Sequence, residues 1–534
     1  MRRLRVLDTT LRDGDQAPGF AFSPEQKITL ARALAAAGVD IIETGFPLAS
    51  SAEFESCRRI ALELAEASRA NSAELTQPLT AVMCRGRLKD IEATARVFQG
   101  GIPGVIHISL PVSKTHISVK FGKTEKELLV LAREAVSFAA GLVPVVELGA
   151  EDASRADAAF LTDYCASALD AGAGIINIAD TLGIGTPSGI AELVGLLYRA
   201  IPAFAAGRAV LSIHCHNDFG LACANTLAAI EAGCGQVEVA VAGIGERAGN
   251  AALEEVLANL LAHPELYHAR TGILPEKLAS LLALTAAAAG TAGSPLKPVS
   301  GWNSRAHSAG LHQQGLSKNT ATYTPPLPMY PAPVPERIVL SRHSGRAGIA
   351  LFARRYCGME VAAETLSRLR DLVKTACGST TGLTEFIRML ADIQALPPTY
   401  PGLFIRTAWS ETAGSDAEKG AWYRINAALT RYRGPASSPG SPERFPLSGD
   451  GETWTKVVPQ AVSAGTGMKL ELTRLGITGA GDKLRVYAEI TALEDRMYGI
   501  ERIGASPGLL LLDCCLDAVN AATLAGCSNP AALA

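Results

Sequence analysis

What this chain lacks narrows it before anything it contains. It has no basic excess: 49 Lys and Arg stand against 52 Asp and Glu in 534 residues, a formal net charge of -3. That balance argues against nucleic acid or an anionic membrane as the partner. It has no apolar run of membrane length; the most apolar stretch, near residue 280, is short and rich in alanine. The opening MRRLRVLDTTLRDG carries arginines but no long apolar region and no small-residue cleavage site. It reads as a strand and not as a signal peptide. It has no C-x-x-C: its 11 cysteines are scattered, and Cys514 and Cys515 are adjacent and cannot easily pair with each other. This usage fits a reducing cytoplasm better than a disulfide scaffold. The length fits about three domains, or one large barrel with additions.

What is present, from residue 3 to about 262, is a repeated unit of apolar run, turn and amphipathic stretch. The runs are RLRVLD, DIIETG, LTAVM, GVIHISL, LVPVVEL, GIINIAD, AVLSIHC and QVEVAVAG. Each is nearly continuous in apolar residues, as a parallel strand covered on both faces requires. Helix signals lie between them. Ser23-Pro24-Glu25-Gln26 combines an N-cap, a proline at the first helical position and a capping-box partner. Thr186-Pro187 opens a helix the same way, and Gly38 and Gly172 close helices. About eight strands alternating with helices predict a (β/α)8 barrel. A doubly wound open sheet is the alternative, though it would not need the count to stop at eight.

Within the seventh run, His214-Cys215-His216 places two imidazoles on one face of a strand end. Two such imidazoles are a metal-ligand pair or simply two hydrogen-bonding histidines. Active sites of such barrels lie at the strands' C-terminal ends. Those ends carry Arg12-Asp13, Glu43, His107, Glu147, Glu151, Asp180-Thr181 and the GIGERAGN loop, 243–250. Asp13, His214, His216 and the amide oxygen of Asn250 can meet across the mouth. Mixed N and O ligands of this kind suit Zn2+, Mn2+, Co2+ or Mg2+ with open positions for substrate. A glycine-rich loop also lets backbone approach a ligand closely.

Five stretches, LDTTLRDGDQAPG, IETGFP, EDASRAD, HCHNDFGLACANTLAAIEAG and GIGERAGNAALEE, resemble the 2-isopropylmalate synthase and homocitrate synthase family. RAHSAGLHQQGLSKNTATY and SRHSGRAGI resemble the family's segment after the barrel. More weakly, residues 400–534 resemble the regulatory domain of isopropylmalate synthases. The resemblance implies a barrel over 1–270, a helical linker subdomain over 271–400 and an α+β regulatory-like domain over 401–534. It implies condensation of acetyl-CoA with a 2-oxo acid on a divalent metal held by Asp13, His214, His216 and Asn250. It also implies Arg12 beside the metal and Glu151, His312 and Tyr323 as the proton-abstracting set, the last two reaching in from the partner of a homodimer. His107, Gly149 and Thr181, with Arg12, would line the oxo-acid pocket. Gly243, Gly245, Glu246 and Arg247 would lie near metal and CoA.

The chain also departs from the family. Asp15 replaces the usual glutamate, Gly149-Ala150 stand where isopropylmalate synthases usually have Ser-Pro, and Gln314 replaces an aspartate. Lysine-type homocitrate synthases place an arginine four residues before the catalytic glutamate. Glu147 occupies that position here, which favours an apolar oxo acid, 2-oxoisovalerate, over 2-oxoglutarate. The expectation is thus an isopropylmalate-synthase-like enzyme of the cytoplasm. Homocitrate or citramalate synthase is the alternative, with a metal-barrel lyase, a carboxyl transferase or an inactive regulatory paralogue behind them. An amino-acid effector at the C-terminal domain is left open. Residues 278–298 read as helix then linker, 324–335 as a proline-rich connector, 359–395 as helical, 434–452 as loop and the last residues as a frayed tail.

Overall fold

The eight apolar runs become the eight parallel strands of one closed barrel in the computed structural model of the chain. The structure describes residues 1–70, 78–290, 294–301, 303–325, 337–376, 381, 383–393, 403–416, 420–432, 444–451, 458–459, 462, 470–478, 484–492, 496–504 and 515. The strands are β1 (Arg5–Asp8), β2 (Ile41–Glu43), β3 (Leu79–Arg85), β4 (Gly104–Pro111), β5 (Val145–Glu151), β6 (Ile175–Asp180), β7 (Val210–Cys215) and β8 (Gln236–Val239). Each pairs with the next, and β1 pairs with β8 from Arg5↔Gln236 to Asp8↔Val239, so no edge is left. The open-sheet alternative is thereby excluded.

The helices that cover the barrel begin and end where the chain says. In α1 (Pro24–Ala36), Ser23 accepts from Gln26 N and the Gln26 side chain returns to Ser23 N. This satisfies two of the N–H groups that a helix start leaves unpaired. Thr186 caps α2 (Pro187–Ala200) through Gly189 N. Gly38 follows α1 at φ +86 and Gly172 follows another helix at φ +112. The outward strand residues and the inner helix faces form one large core.

Inside the barrel a smaller apolar plug is formed by Leu7, Ile41, Ala81, Val105 and Ile175. Side chains of a strand alternate faces, so the next inward positions are two residues further on. There the interior turns polar: Glu43, His107, Glu147, Asn177 and Ser212 are all buried. An apolar layer caps one end of the barrel, and a polar one underlies the other.

The chain divides into two compact units, the first centred on Met1–Gly290, the second on Gly301–Pro325 and the described part of Val334–Ala534. The helix expected after the barrel is present at Leu278–Ala288. The second unit has its own core, with Leu316, Ile349, Phe352, Leu369 and Phe386 buried together. Helices at Ala363–Thr375 and Leu383–Asp392 lie within the helical pattern of 359–395, and another at Arg346–Cys357 precedes it. Two three-stranded antiparallel sheets follow. One includes Arg444–Gly451, paired with Tyr423–Thr430. This corrects the loop expected over 434–452 for residues 444–451, where ladder hydrogen bonds to a neighbouring strand outweigh a turn-rich composition; 434–443 and 452 lie outside the described residues. Residues 326–335 of the connector and the C-terminal tail lie outside the described residues. No described helix is long and apolar enough to cross a membrane.

Candidate metal centre and active site

β7 delivers the two histidines as its spacing requires, with Cys215 turned into the core between them. His214 Nε2 and His216 Nε2 lie 3.3 Å apart. Asp13, in the turn after β1, brings Oδ2 to 3.5 Å from the first and 3.7 Å from the second. A triangle with these sides has its centre about 2.0 Å from each corner, the length of a metal–nitrogen bond. Asn250 follows the glycine loop and bridges to His216 in backbone register. Its Nδ2 donates to Thr9 Oγ1 at 3.3 Å, while its Oδ1 is buried without a partner. An orphaned buried acceptor beside three converging ligand atoms fits a divalent cation, with Asn250 as further ligand.

The electrostatics agree. Burial opposes ionisation of Asp13, but Arg12 and the two imidazoles overcome it and hold the carboxyl well below its usual range. Burial and the neighbouring His214 lower His216 to about 3, leaving a neutral ring. Burial disfavours charge on His214 as well, yet contacts with Asp13 and Glu238 raise it to about 9. The pocket therefore calls for positive charge at the point where the three ligands meet.

Beneath this triad lies a chain of polar groups. Glu238 Oε2 sits 3.2 Å from His214 Nδ1. Its other oxygen accepts from Ser212 Oγ at 3.2 Å. Gln236 Nε2 donates to Ser212 Oγ at 3.1 Å and to Glu147 Oε1 at 3.0 Å. Glu238 thus fixes which nitrogen of His214 faces the mouth, the usual second partner of a metal-bound histidine. Burial opposes its charge, but His214 and His107 lower it to about 2. Burial and the negative Glu238 push Glu147 the other way, well above its usual range. Neighbouring charge thus favours the ionised form of Asp13, Glu43 and Glu238, and burial favours the neutral form of Glu147. Arg12 and one divalent cation at the Asp13, His214 and His216 site would balance those three carboxylates.

Arg12 is held by two carboxylates at once. Its Nε donates to Glu43 Oε2 at 2.6 Å, and its Nη1 to Asp13 Oδ2 at 3.1 Å. Glu43 Oε1 in turn is 2.8 Å from His107 Nδ1. His107 is buried, and a Cβ on Gly149 would come within 2.9 Å of its Nε2. Gly149 therefore leaves that nitrogen uncovered. Glu147 is not at the rim, as the strand-end reading had it, but fully buried inside β5. It belongs to the polar chain because inward positions two and four residues below the strand end lie below the mouth.

The glycine loop wraps the ligands. Glu246 N donates to Asp13 Oδ1 at 2.9 Å, and a Cβ on Gly245 would strike the Asn250 amide. Gly243 has φ +66 and Arg247 φ +57. The Arg247 side chain forks onto Asp218 at 2.8 Å and reaches Thr181 O at 2.7 Å. Thr181 Oγ1 accepts from Asp152 N at 2.8 Å. Asp15 has no place in the metal set: it holds Lys27 at 2.9 Å and Phe22 N at 2.7 Å, anchoring α1.

At the end of β5, Glu151 Oε1 accepts from Lys120 Nζ at 2.6 Å and lies 3.0 Å from His116 Nδ1. His312 and Tyr323 are in the second unit and stack there, ring centroids 4.0 Å apart and 17° from parallel. Next to His312, Gln313 is buried, its amide donating to His307 O and Val339 O. By sequence Glu43 stands only among the strand ends and Glu238 is unmarked, yet Glu43 holds Arg12 and His107 and Glu238 faces His214. The signal was available: each is a carboxylate inside an otherwise apolar parallel strand, where unpaired charge is rare.

The HMGL-like family matches residues 3–284 of this chain. A protein named 2-isopropylmalate synthase from Pyrococcus furiosus is 39% identical over 395 residues, 74% of this chain and 75% of that one. Another of that name, from Xanthomonas campestris pv. campestris (strain B100), is 34% identical over 507 residues, 94% of this chain and 90% of that one. Among solved structures, a hydroxymethylglutaryl-CoA lyase from Pseudomonas aeruginosa aligns at a TM-score of 0.46 with 21% identity, across 56% of this chain and 96% of that one.

Proposed function

This chain belongs to the HMGL-like family, in its 2-isopropylmalate synthase branch of acyltransferases, and on that premise we propose that it condenses acetyl-CoA with 2-oxoisovalerate and then hydrolyses the thioester. The observation that carries the reading is the convergence of Asp13, His214 and His216 around one point at the mouth of the barrel, in a chain whose relatives bear that name. A divalent cation held there by Asp13, His214, His216 and Asn250 would polarise the keto carbonyl of the oxo acid.

The remaining steps belong to the chain's own side chains. Glu151 takes a proton from the methyl group of acetyl-CoA. Arg12, fixed by Glu43 and Asp13, meets the negative charge that develops on the former keto oxygen. Such preorganised cations act most strongly where water is excluded. His107 Nε2, uncovered by Gly149, and Thr181 orient the oxo acid. Gly243, Gly245, Glu246 and Arg247 shape the approach of CoA. His312 and Tyr323 act as a stacked pair from the partner subunit of a homodimer, relaying the proton from Glu151. Glu147, a buried acid pushed well above its usual range, offers no cation to a second carboxylate, which favours an apolar oxo acid.

The test is CoA release from acetyl-CoA with Mg2+ or Mn2+ against 2-oxoisovalerate, pyruvate and 2-oxoglutarate. The expected result is a clear preference for 2-oxoisovalerate. A preference for pyruvate or 2-oxoglutarate would move the assignment to citramalate or homocitrate synthase. Release without any stimulation by an oxo acid would defeat the synthase reading.

A further inference from the structure

After β4 the chain makes a single turn of π-helix, His116–Lys120, closed by Phe121 N to His116 O at 3.1 Å. Such turns are rare and occur often at functional sites. This one brings its first and last side chains to one atom. Lys120 Nζ donates to Glu151 Oε1 at 2.6 Å. His116 Nδ1 lies 3.0 Å from the same oxygen, yet is buried and makes no hydrogen bond. His116 Nε2 faces Asp152 Oδ2 at 3.7 Å, and Asp152 is held by Arg155. The Lys120 side chain is 53% exposed, so a second acceptor can reach its Nζ from solvent. None of these contacts uses Glu151 Oε2.

Taking Glu151 as the base, which rests on the function proposed above, removal of a methyl proton is only half of the step. The electron pair left behind must be accommodated on the thioester oxygen, two bonds away. We infer that Lys120 is a further catalytic residue, which donates to the thioester oxygen of acetyl-CoA while Glu151 removes the methyl proton, with His116 as a positioning residue for both. The C–H bond breaks and its proton passes to Glu151 Oε2. The electron pair forms the carbon–carbon double bond of the enolate, and the charge rests on the thioester oxygen against a Lys120 N–H. The enolate carbon then attacks the keto carbon, the thioester carbonyl re-forms, and Lys120 keeps its proton throughout. A paired cation lowers the basicity of a carboxylate. Drawing a Lys120 N–H toward the thioester oxygen frees Glu151 as the base is needed.

The experiment compares the full-length wild type with Lys120→Met and Lys120→Arg, using acetyl-CoA with protiated and with fully deuterated methyl groups. Lys120→Met is expected to lower kcat for CoA release by about a hundredfold or more, the usual cost of one lost oxyanion donor. It should also raise the deuterium isotope effect, because enolisation becomes rate-limiting. KM for the oxo acid and metal content stay as in the wild type, and Lys120→Arg retains part of the rate. Lys120→Gln serves if the methionine variant fails to fold. An unchanged kcat in an active background, or a lower kcat without a larger isotope effect, overturns the inference and leaves the proposed function standing. A wild type that releases no CoA with any oxo acid overturns the function itself and the role of Lys120 with it.

Discussion

At the scale of the residue, the site is a problem of buried charge. Arg12, Asp13, Glu43, His214 and Glu238 are all buried, where unpaired charges are costly, so each is placed against another. Glu238→Gln keeps the shape but withdraws the carboxylate from His214 Nδ1. It is expected to weaken divalent-metal affinity by about 10- to 100-fold, read by titration with Mn2+, with the fold intact by circular dichroism. Asp8 makes the opposite case. It is fully buried, and desolvation pushes it from 3.8 up to about 7, against hydrogen bonds from Thr10. Its folded-state value is raised, so its contribution to stability is complete below about pH 4 and is lost as the pH rises through 7. Asp8→Asn is therefore expected to raise Tm relative to wild type at pH 8, by an effect that shrinks as the pH falls toward 4. An equal difference at pH 8 and pH 4.5 would contradict the burial argument.

At the scale of the element, the barrel depends on where helices stop. Gly38 has φ +86, and a Cβ there would lie 2.1 Å from Gly272 O. Gly38→Ala thus combines left-handed strain with a backbone clash. It should cost about 2 kcal/mol or more, seen as a lower denaturation midpoint. Gly149 on β5 is tight for a different reason: the neighbour is His107, held by Glu43. Gly149→Ala is expected to displace that ring and raise KM for the oxo acid about tenfold or more, with metal content unchanged. Unaltered KM would mean that His107 does not touch the oxo acid.

At the scale of the whole molecule, the barrel carries Glu151 and the second unit carries the stacked His312 and Tyr323. If the active site is shared between subunits of a homodimer, Glu151→Gln and His312→Ala are each inactive alone. Their co-expressed mixture is expected to recover activity, because some mixed dimers hold one intact site. Mixtures as inactive as either parent would place both groups in one chain. Removal of metal with EDTA is expected to abolish turnover and lower Tm. Adding Mn2+ or Mg2+ back at 100 times its Kd should return about 2.7 kcal/mol of stability.

Much of this was legible in the chain itself, for identifiable reasons. Continuous apolar runs separated by capped helices can satisfy their backbone and bury both faces only as parallel strands under helices, so the barrel followed from periodicity. His214 and His216 share a face because a strand repeats every two residues, and Asp13 and Asn250 stand at other strand ends of the same rim. The tertiary structure decided what no local pattern encodes. It showed that Arg12 serves Glu43 and Asp13 together, and that Glu147 is a buried acid beneath the mouth, pushed toward its neutral form. It showed that Glu238 backs His214 across the β7–β8 ladder, and that a π-turn brings His116 and Lys120 onto Glu151. Apart from the adjacent pair Arg12 and Asp13, these are contacts between residues from 24 (His214 to Glu238) up to 89 (Glu147 to Gln236) positions apart. Their charge states depend on burial that only the closed barrel creates. Local sequence sets the period of each element; the low dielectric and the register of the finished barrel set the protonation and aim of the groups inside it.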